Sequence, residues 1–429
     1  MAKRFLLFLV LVSLAFSALG AHAAAETTTI TVWGWVYAVD CLKTNLAEFL
    51  REYPQIKVVF KTVAPADIYL RLPTALANGI GLPDVVVLED SHVAPMISTG
   101  GLLDLTARVA PYRAKFNVYK WAAVSSGGRV YAMPWDSAPV ALFYRRDLFA
   151  AAGLPSAPEE VARLLATWED YYRAVNTIKE KTGAYALPLS GPRNDGRLFE
   201  ILLQQQGGGY FDERGRVILD DSRGSGLKTL EFLGRLYKEG LAHESVPWED
   251  PWYTAIREGK VATLIGGAYL ESFLRNWIAP NAAGLWGVVP LPRWAQGEGA
   301  RTAGDGGTSL AIPKRSPRTE AAWAFVRFML ARPASQLNML KKYDSFPALE
   351  ETYKDPYFQR PLPFYADQPV LGLFAELARE VPPWHYTVDY ATANSLCSAE
   401  IQAYLMGSKD AKAALAAAAS AIRAKTGRR

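Results

Sequence analysis

From Ile30 onward, short apolar runs alternate with amphipathic stretches, and no other feature of this sequence narrows its fold as much. Ile30-Thr31-Val32-Trp33 reads as a strand. Leu42, Leu46, Phe49 and Leu50 then recur at the 3.6-residue spacing of a half-buried helix. Residues 56–60 are the next strand. A helix over 66–78 would bury Ile68, Leu72, Ala75 and Leu76, with a kink expected at Pro73. Gly81-Leu82-Pro83-Asp84 turns into the apolar run 85–88. This β-α-β-α-β order implies right-handed crossovers and a mainly parallel sheet, whose ligands sit beyond the carboxyl ends of the strands. The segments there are 34–40 and 89–92, both expected as loops. A second series begins near Val140, with strands over 140–144, 184–189, 217–219, 261–265 and 285–289 and helices over 158–181, 198–206, 222–239 and 268–277. Residues 309–313 and a helix over 319–330 add further α/β units, and the tail from Val388 is helical through the alanine-rich 411–424.

The start of the chain fixes the compartment. Lys3 and Arg4 precede an apolar stretch over 5–19 that only Ser13 and Ser17 interrupt, and Ala21, Ala23, Ala24 and Ala25 follow. This is the pattern of an export signal over residues 1–25, cleaved near Ala23 or Ala25. A membrane-spanning helix needs about 20 mostly apolar residues, and this stretch is shorter. No cysteine stands at the cleavage point to take a lipid. The expected mature protein is soluble and periplasmic or otherwise extracytoplasmic. About 400 residues then remain, which suits two domains better than one core. With 50% apolar and 21% charged residues, the composition is that of a globular protein. The net charge is only +5, two of it from Lys3 and Arg4, and cations interleave with acids. No nucleic-acid partner is expected from such a surface. Cys41 and Cys397 are the only cysteines. An oxidising compartment permits a disulfide between them; two separate buried thiols are the alternative, and sequence does not decide between the two.

No catalytic motif is present: no Gly-x-Ser-x-Gly elbow, no phosphate loop ending in Gly-Lys-Ser/Thr, no His-Glu-x-x-His. Gly304-Asp305-Gly306-Gly307 lacks the dinucleotide spacing. His92, His243 and His385 are too dispersed to suggest a metal site. The carboxylates of Glu89-Asp90 and Asp220-Asp221 are neighbours, and neighbours in a strand point to opposite faces. Neither an enzyme nor a cofactor is expected.

Aromatic residues stand out instead: twelve tryptophans and twenty-one tyrosines. Trp35, Tyr37, Trp135, Trp248, Trp252, Tyr253, Trp384 and Tyr386 fall in expected loops. An indole or phenol ring can cover the C–H face of a pyranose and exclude water from it. The sugar's hydroxyls then need planar donors and acceptors, which Asp, Asn and Arg provide. Trp135-Asp136 pairs the two chemistries. Core filling is the alternative role for each ring.

Several segments recur together. They are Ile30-Thr31-Val32-Trp33-Gly34-Trp35, Leu82-Pro83-Asp84-Val85-Val86, and Gly128-Arg129-Val130-Tyr131-Ala132-Met133-Pro134-Trp135-Asp136. Leu142-Phe143-Tyr144-Arg145-Arg146-Asp147-Leu148-Phe149, Arg257-Glu258-Gly259-Lys260-Val261-Ala262, Gly266-Gly267-Ala268-Tyr269, Gly306-Gly307-Thr308-Ser309-Leu310-Ala311-Ile312-Pro313 and Ala321-Ala322-Trp323 follow. In this order they resemble the extracellular solute-binding proteins of ABC sugar importers, the group of maltose-binding protein. The resemblance implies a two-lobed α/β periplasmic-binding-protein fold of type II with a ligand cleft between the lobes. One lobe would hold residues 26–137 and 293–340, the other 138–292 and 341–429. It further implies a monomer that closes around a small-molecule sugar and hands it to the membrane permease of an ABC transporter. Carried over by position, it places Trp35, Tyr37, Asp90, His92, Trp135, Asp136, Asp195 and Arg197 at the ligand. It adds Tyr269, Asp305, Gly306, Gly307, Trp384, His385 and Tyr386. Thr308 stands where many members carry a stacking tryptophan, so one ring of the family pattern is absent. The rival readings are the same scaffold holding a polyamine, a metal ion or a polyol phosphate, and a secreted carbohydrate-active enzyme.

Overall fold

In the computed structural model, which describes residues 27–429, the first apolar run forms strand β1 (Thr28–Gly34). The expected export signal, residues 1–25, lies outside the described residues. β1 pairs in parallel with β2 (Ile56–Thr62) and with β3 (Val85–Glu89). Val85, Val86, Val87 and Leu88 are all fully buried, as a strand covered on both faces requires. Strands β4 (Ala132–Pro134) and β8 (Thr308–Ala311) complete the sheet in the order β2-β1-β3-β8-β4. β8 is antiparallel to both neighbours, with Thr308 opposite Glu89. It arrives from the other lobe, at the end of the sheet where β3 finishes, and so must run back against it.

The same logic corrects the expectation for the second lobe. Its sheet is antiparallel rather than parallel: β5 (Val140–Arg145) lies between β6 (Thr263–Gly267) and β7 (Trp286–Val289). β5 starts at the lobe junction and runs away from it, whereas β6 ends there, with Gly267 opposite Val140. β5 alternates between two cores. Val140, Leu142 and Tyr144 face a core with Tyr171, Leu202 and Leu233; Ala141 and Phe143 face one with Ile256, Trp286 and Phe374. The first lobe has its own core around Ile30, Val32, Leu72, Val86, Leu310 and Phe325.

Two segments expected as loops are helical. α1 (Val36–Lys43) begins directly after β1, and Trp35 occupies its N-cap. Two further helices follow, α2 (Leu46–Glu52) and α3 (Pro65–Asn78), the second of which continues through Pro73. α4 (Asp90–Ser98) begins directly after β3. Both α1 and α4 therefore point their N-termini at the junction between the lobes.

Three segments cross that junction side by side. The Val140 amide donates to the Ala303 carbonyl (2.9 Å), Asp305 to Ala138 (2.9 Å), Ser137 to Phe346 (2.8 Å) and Ala348 to Trp135 (3.1 Å). Leu291 and Ala303 belong to the second lobe's core, so the return to the first lobe falls at 304–308, later than the expected 293. Ala348 and Leu349 belong to the first core, which makes 344–349 a third crossover inside a segment assigned wholly to the second lobe. Cys41 sits in the first core and Cys397 in the second, both as free thiols. Separate buried thiols are thus what the fold holds. Among the described residues no helix is long and apolar enough to cross a membrane.

Candidate functional site

The three crossovers floor a cavity of about 410 Å³ whose walls come from both lobes. On the first lobe, the end of β3 and the start of α4 deliver Glu89, Asp90 and Ser91, and α1 delivers Tyr37. The crossovers contribute Asp136, Ser137, Asp305, Gly306, Gly307 and Phe346. The second lobe contributes Arg197, from the start of α5 (Arg197–Gln205), and Tyr269 and Phe273 from α6 (Tyr269–Phe273). Tyr386 and Tyr390 close that side, the latter at the start of α7 (Tyr390–Leu405).

The polar groups are held by one another. Asp90 pairs with Lys120, both buried, and also accepts from the Ser309 hydroxyl (3.2 Å). Burial pushes the Asp90 pKa up, and the Lys120 ammonium opposes it. Gly307 lies over the pair with φ +127°; a Cβ there would fall 2.2 Å from Lys120 Nζ, so only glycine fits. One oxygen of Asp136 accepts from both the amide (2.5 Å) and the hydroxyl (2.8 Å) of Thr308. Asp305 accepts from Arg197 Nε (2.6 Å), from the Gly267 amide (3.2 Å) and from the Tyr269 hydroxyl. Arg197 also donates to Glu200 (3.0 Å), which in turn accepts from Tyr390 (3.0 Å) and Asn394 (2.9 Å). Burial would lower the Arg197 pKa, but Asp305 and Glu200 outweigh it and hold the guanidinium firmly protonated. Carboxylates and a guanidinium fixed among six rings can accept from and donate to a polyhydroxylated guest.

Residues 42–336 match the family model described as bacterial extracellular solute-binding protein. This chain belongs to that family. The solute-binding protein is 27% identical over 404 residues to a lactose-binding protein of Rhizobium radiobacter, and the match covers 92% of each chain. It is 24% identical over 424 residues to an arabinooligosaccharide-binding protein of Bacillus subtilis (strain 168), again covering 92% of each. Among solved structures, it is similar to the ABC transporter associated binding protein from B. animalis subsp. lactis Bl-04 in complex with beta-1,6-galactobiose. That likeness has a TM-score of 0.73 at 25% identity and covers 94% of this chain and 98% of that one.

In this solute-binding protein the expected site residues divide. Tyr37, Asp90, Asp136, Arg197, Tyr269, Asp305, Gly306, Gly307 and Tyr386 line the cleft together. Asp195 lines an adjoining chamber that shares Arg197, Tyr269 and Asp305 with it. Trp135 does not reach either space: it is 2% exposed and packed in the first lobe's core. Trp35 packs against the same core. His92 is not part of the lining: it stacks on Tyr69 at 3.6 Å, and its Nδ1 lies 3.0 Å from the Ser91 hydroxyl and 3.4 Å from Glu89, both of which do line the cleft. Trp384 is buried against Tyr210 at 5.5 Å. His385 lines a separate groove with Asp212 and Glu213. The fold adds residues for which sequence carries no motif: Phe273, Asp344, Phe346 and Tyr390 on the cleft wall, with Lys120 and Glu200 behind it.

Proposed function

We propose that this solute-binding protein captures a sugar in the cleft by hinge closure and delivers it, unaltered, to the permease of an ABC importer. One observation carries the reading: rings and hydrogen-bonding groups from two separate lobes meet over one cavity, Tyr37 and Asp136 on one side, Tyr269, Tyr386 and Arg197 on the other. Three adjacent crossovers are the natural hinge, since backbone rotations in a few residues move whole lobes. A guest touching both walls gains its full contact set only when they approach, and so shifts the population toward the closed form. The relatives, a lactose-binding and an arabinooligosaccharide-binding protein, support a saccharide as the guest. On this reading the protein is an exported monomer without catalytic activity or nucleic-acid partner.

Thermal-shift screening of the purified protein against a carbohydrate panel, followed by chromatography of the mixtures, tests this. A ligand that binds only the folded state raises the melting temperature with its concentration over its dissociation constant. The expected outcome is a shift with one saccharide series and no new products. Turnover, or a panel without any shift, overturns the proposal.

A further inference from the structure

Six rings of the second lobe form a track that begins in the cleft and ends on open surface. Tyr269 and Phe273 line the cleft, and Trp248 and Trp252 line the adjoining chamber. Ring centroids lie 5.5 Å apart for Tyr269 and Phe273, 5.0 Å for Phe273 and Trp277, and 5.7 Å for Tyr253 and Trp277. Trp248 joins the row at 5.0 Å from Trp252 and 6.1 Å from Phe273. Yet Trp248 is 45% and Trp277 44% exposed. Contiguous apolar surface of this kind, left in water at the mouth of a cavity, marks a site for an occupant.

The backbone beneath both indoles departs from regular geometry. Trp248 has φ +69°, a conformation that bulky residues rarely adopt and that recurs where structure serves binding. Trp277 sits in a π-helical turn (Leu274–Ile278) that continues α6, a geometry common at functional sites. In neither case does the unusual backbone bury the ring it carries.

We propose that the ligand is an oligosaccharide too long for the cleft, whose outer units leave along this track and stack on Trp248 and Trp277. The inference rests on the sugar reading above. An indole face matches the C–H face of a pyranose wherever along the chain it falls. Continuity decides the occupant. The row of rings enters the cavity through Tyr269 and Phe273, which a guest held in the cavity can follow outward and a protein docked on the surface has no need of.

The test uses the full-length mature protein and linear gluco-, galacto-, arabino-, xylo- and manno-oligosaccharides of two to six units, titrated calorimetrically. Within the series that binds, affinity should climb by about tenfold from disaccharide to tetrasaccharide. Trp277→Ala should abolish that climb while leaving disaccharide affinity and the ligand-free melting temperature unchanged. Trp277→Phe should keep most of it. A flat dependence on length in the unmutated protein, or a climb that survives Trp277→Ala, overturns the track, assigns the patch to a protein partner and leaves the cleft reading standing. Failure of every series to bind overturns both.

Discussion

Where the first lobe faces the cleft it presents fixed carboxylates, Asp90 above Lys120 and Asp136 against Thr308, with Tyr37 as its ring. The second lobe answers with Tyr269, Phe273, Tyr386 and Tyr390 around the guanidinium of Arg197. The contrast follows from how each wall is made. Parallel strands end at the first wall and helices start there, so carboxylates such as Asp90 sit in the favourable field of a helix N-terminus. The second wall comes from chain leaving an antiparallel sheet, where Gly267 lets the Tyr269 ring lie close; a Cβ would fall 2.9 Å from it. One wall thus offers acceptors whose positions are locked, the other apolar faces. On the sugar reading, the open protein holds its guest by the rings, and closure adds the acceptors.

The comparison breaks first if the first lobe's tryptophan belongs to its wall. Trp135 is buried in the core, so Trp135→Ala should lower the ligand-free stability by about 4 kcal/mol in urea unfolding. The ligand-induced shift of the protein that still folds should survive. An unchanged stability with a vanished shift would return Trp135 to the site.

Lys120→Met comes next, and tests whether the first wall's charge depends on its buried partner. Leaving Asp90 uncompensated should cost about 3 kcal/mol. The pH dependence has a definite sign. With the ammonium gone, burial and the nearby Asp136 charge act against only the Ser309 hydrogen bond and raise the folded-state pKa of Asp90 above the unfolded one. The folded state then binds the proton more tightly, so stability is fully present below the unfolded pKa and is lost as pH rises through the folded value. The melting deficit of Lys120→Met relative to wild type should therefore shrink from pH 7.5 to pH 5. A deficit that stays constant or grows would remove Asp90 as its cause.

On the second wall, Tyr269→Ala removes a ring and the hydroxyl that donates to Asp305. Sugar affinity should fall about tenfold by calorimetry, while Tyr269→Phe keeps most of it. Equal losses in the two variants would mean that the hydroxyl network matters there and the ring does not.

How far these walls were readable in advance depended on the kind of signal. Buried parallel strands read as unbroken apolar runs, which is why 85–88 was legible, while antiparallel pairing in the second lobe depends on where the chain re-enters. Asp136 and Trp135 are sequence neighbours following a strand whose residues alternate faces, and loop composition and the family resemblance put both in the site; the carboxylate faces the cleft and the indole faces the core. Asp90 and His92 diverge likewise, because residues two apart on the helix that starts at Asp90 face different directions. Lys120 and Glu200 had no motif at all, since Asp90 for the one and Tyr390 and Asn394 for the other are partners distant in sequence. The crossover at 344–349 carries no periodicity, so Asp344 and Phe346 were invisible until the fold placed them.

The smallest expected effect is the sharpest test of what the first wall supplies. Asp136 uses one oxygen to accept twice from Thr308. Asp136→Asn keeps an acceptor oxygen for those bonds and removes only the charge, so the local geometry has no reason to move. If the wall acts through placed acceptors, affinity for a neutral sugar should change by less than about fivefold, within the range of a single neutral hydrogen bond, and the ligand-free melting temperature should stay put. If affinity collapses, the negative charge itself is what the guest reads. The cleft would then favour a cation, spermidine should bind the wild type, and the ring wall opposite would be holding an ammonium group rather than a pyranose.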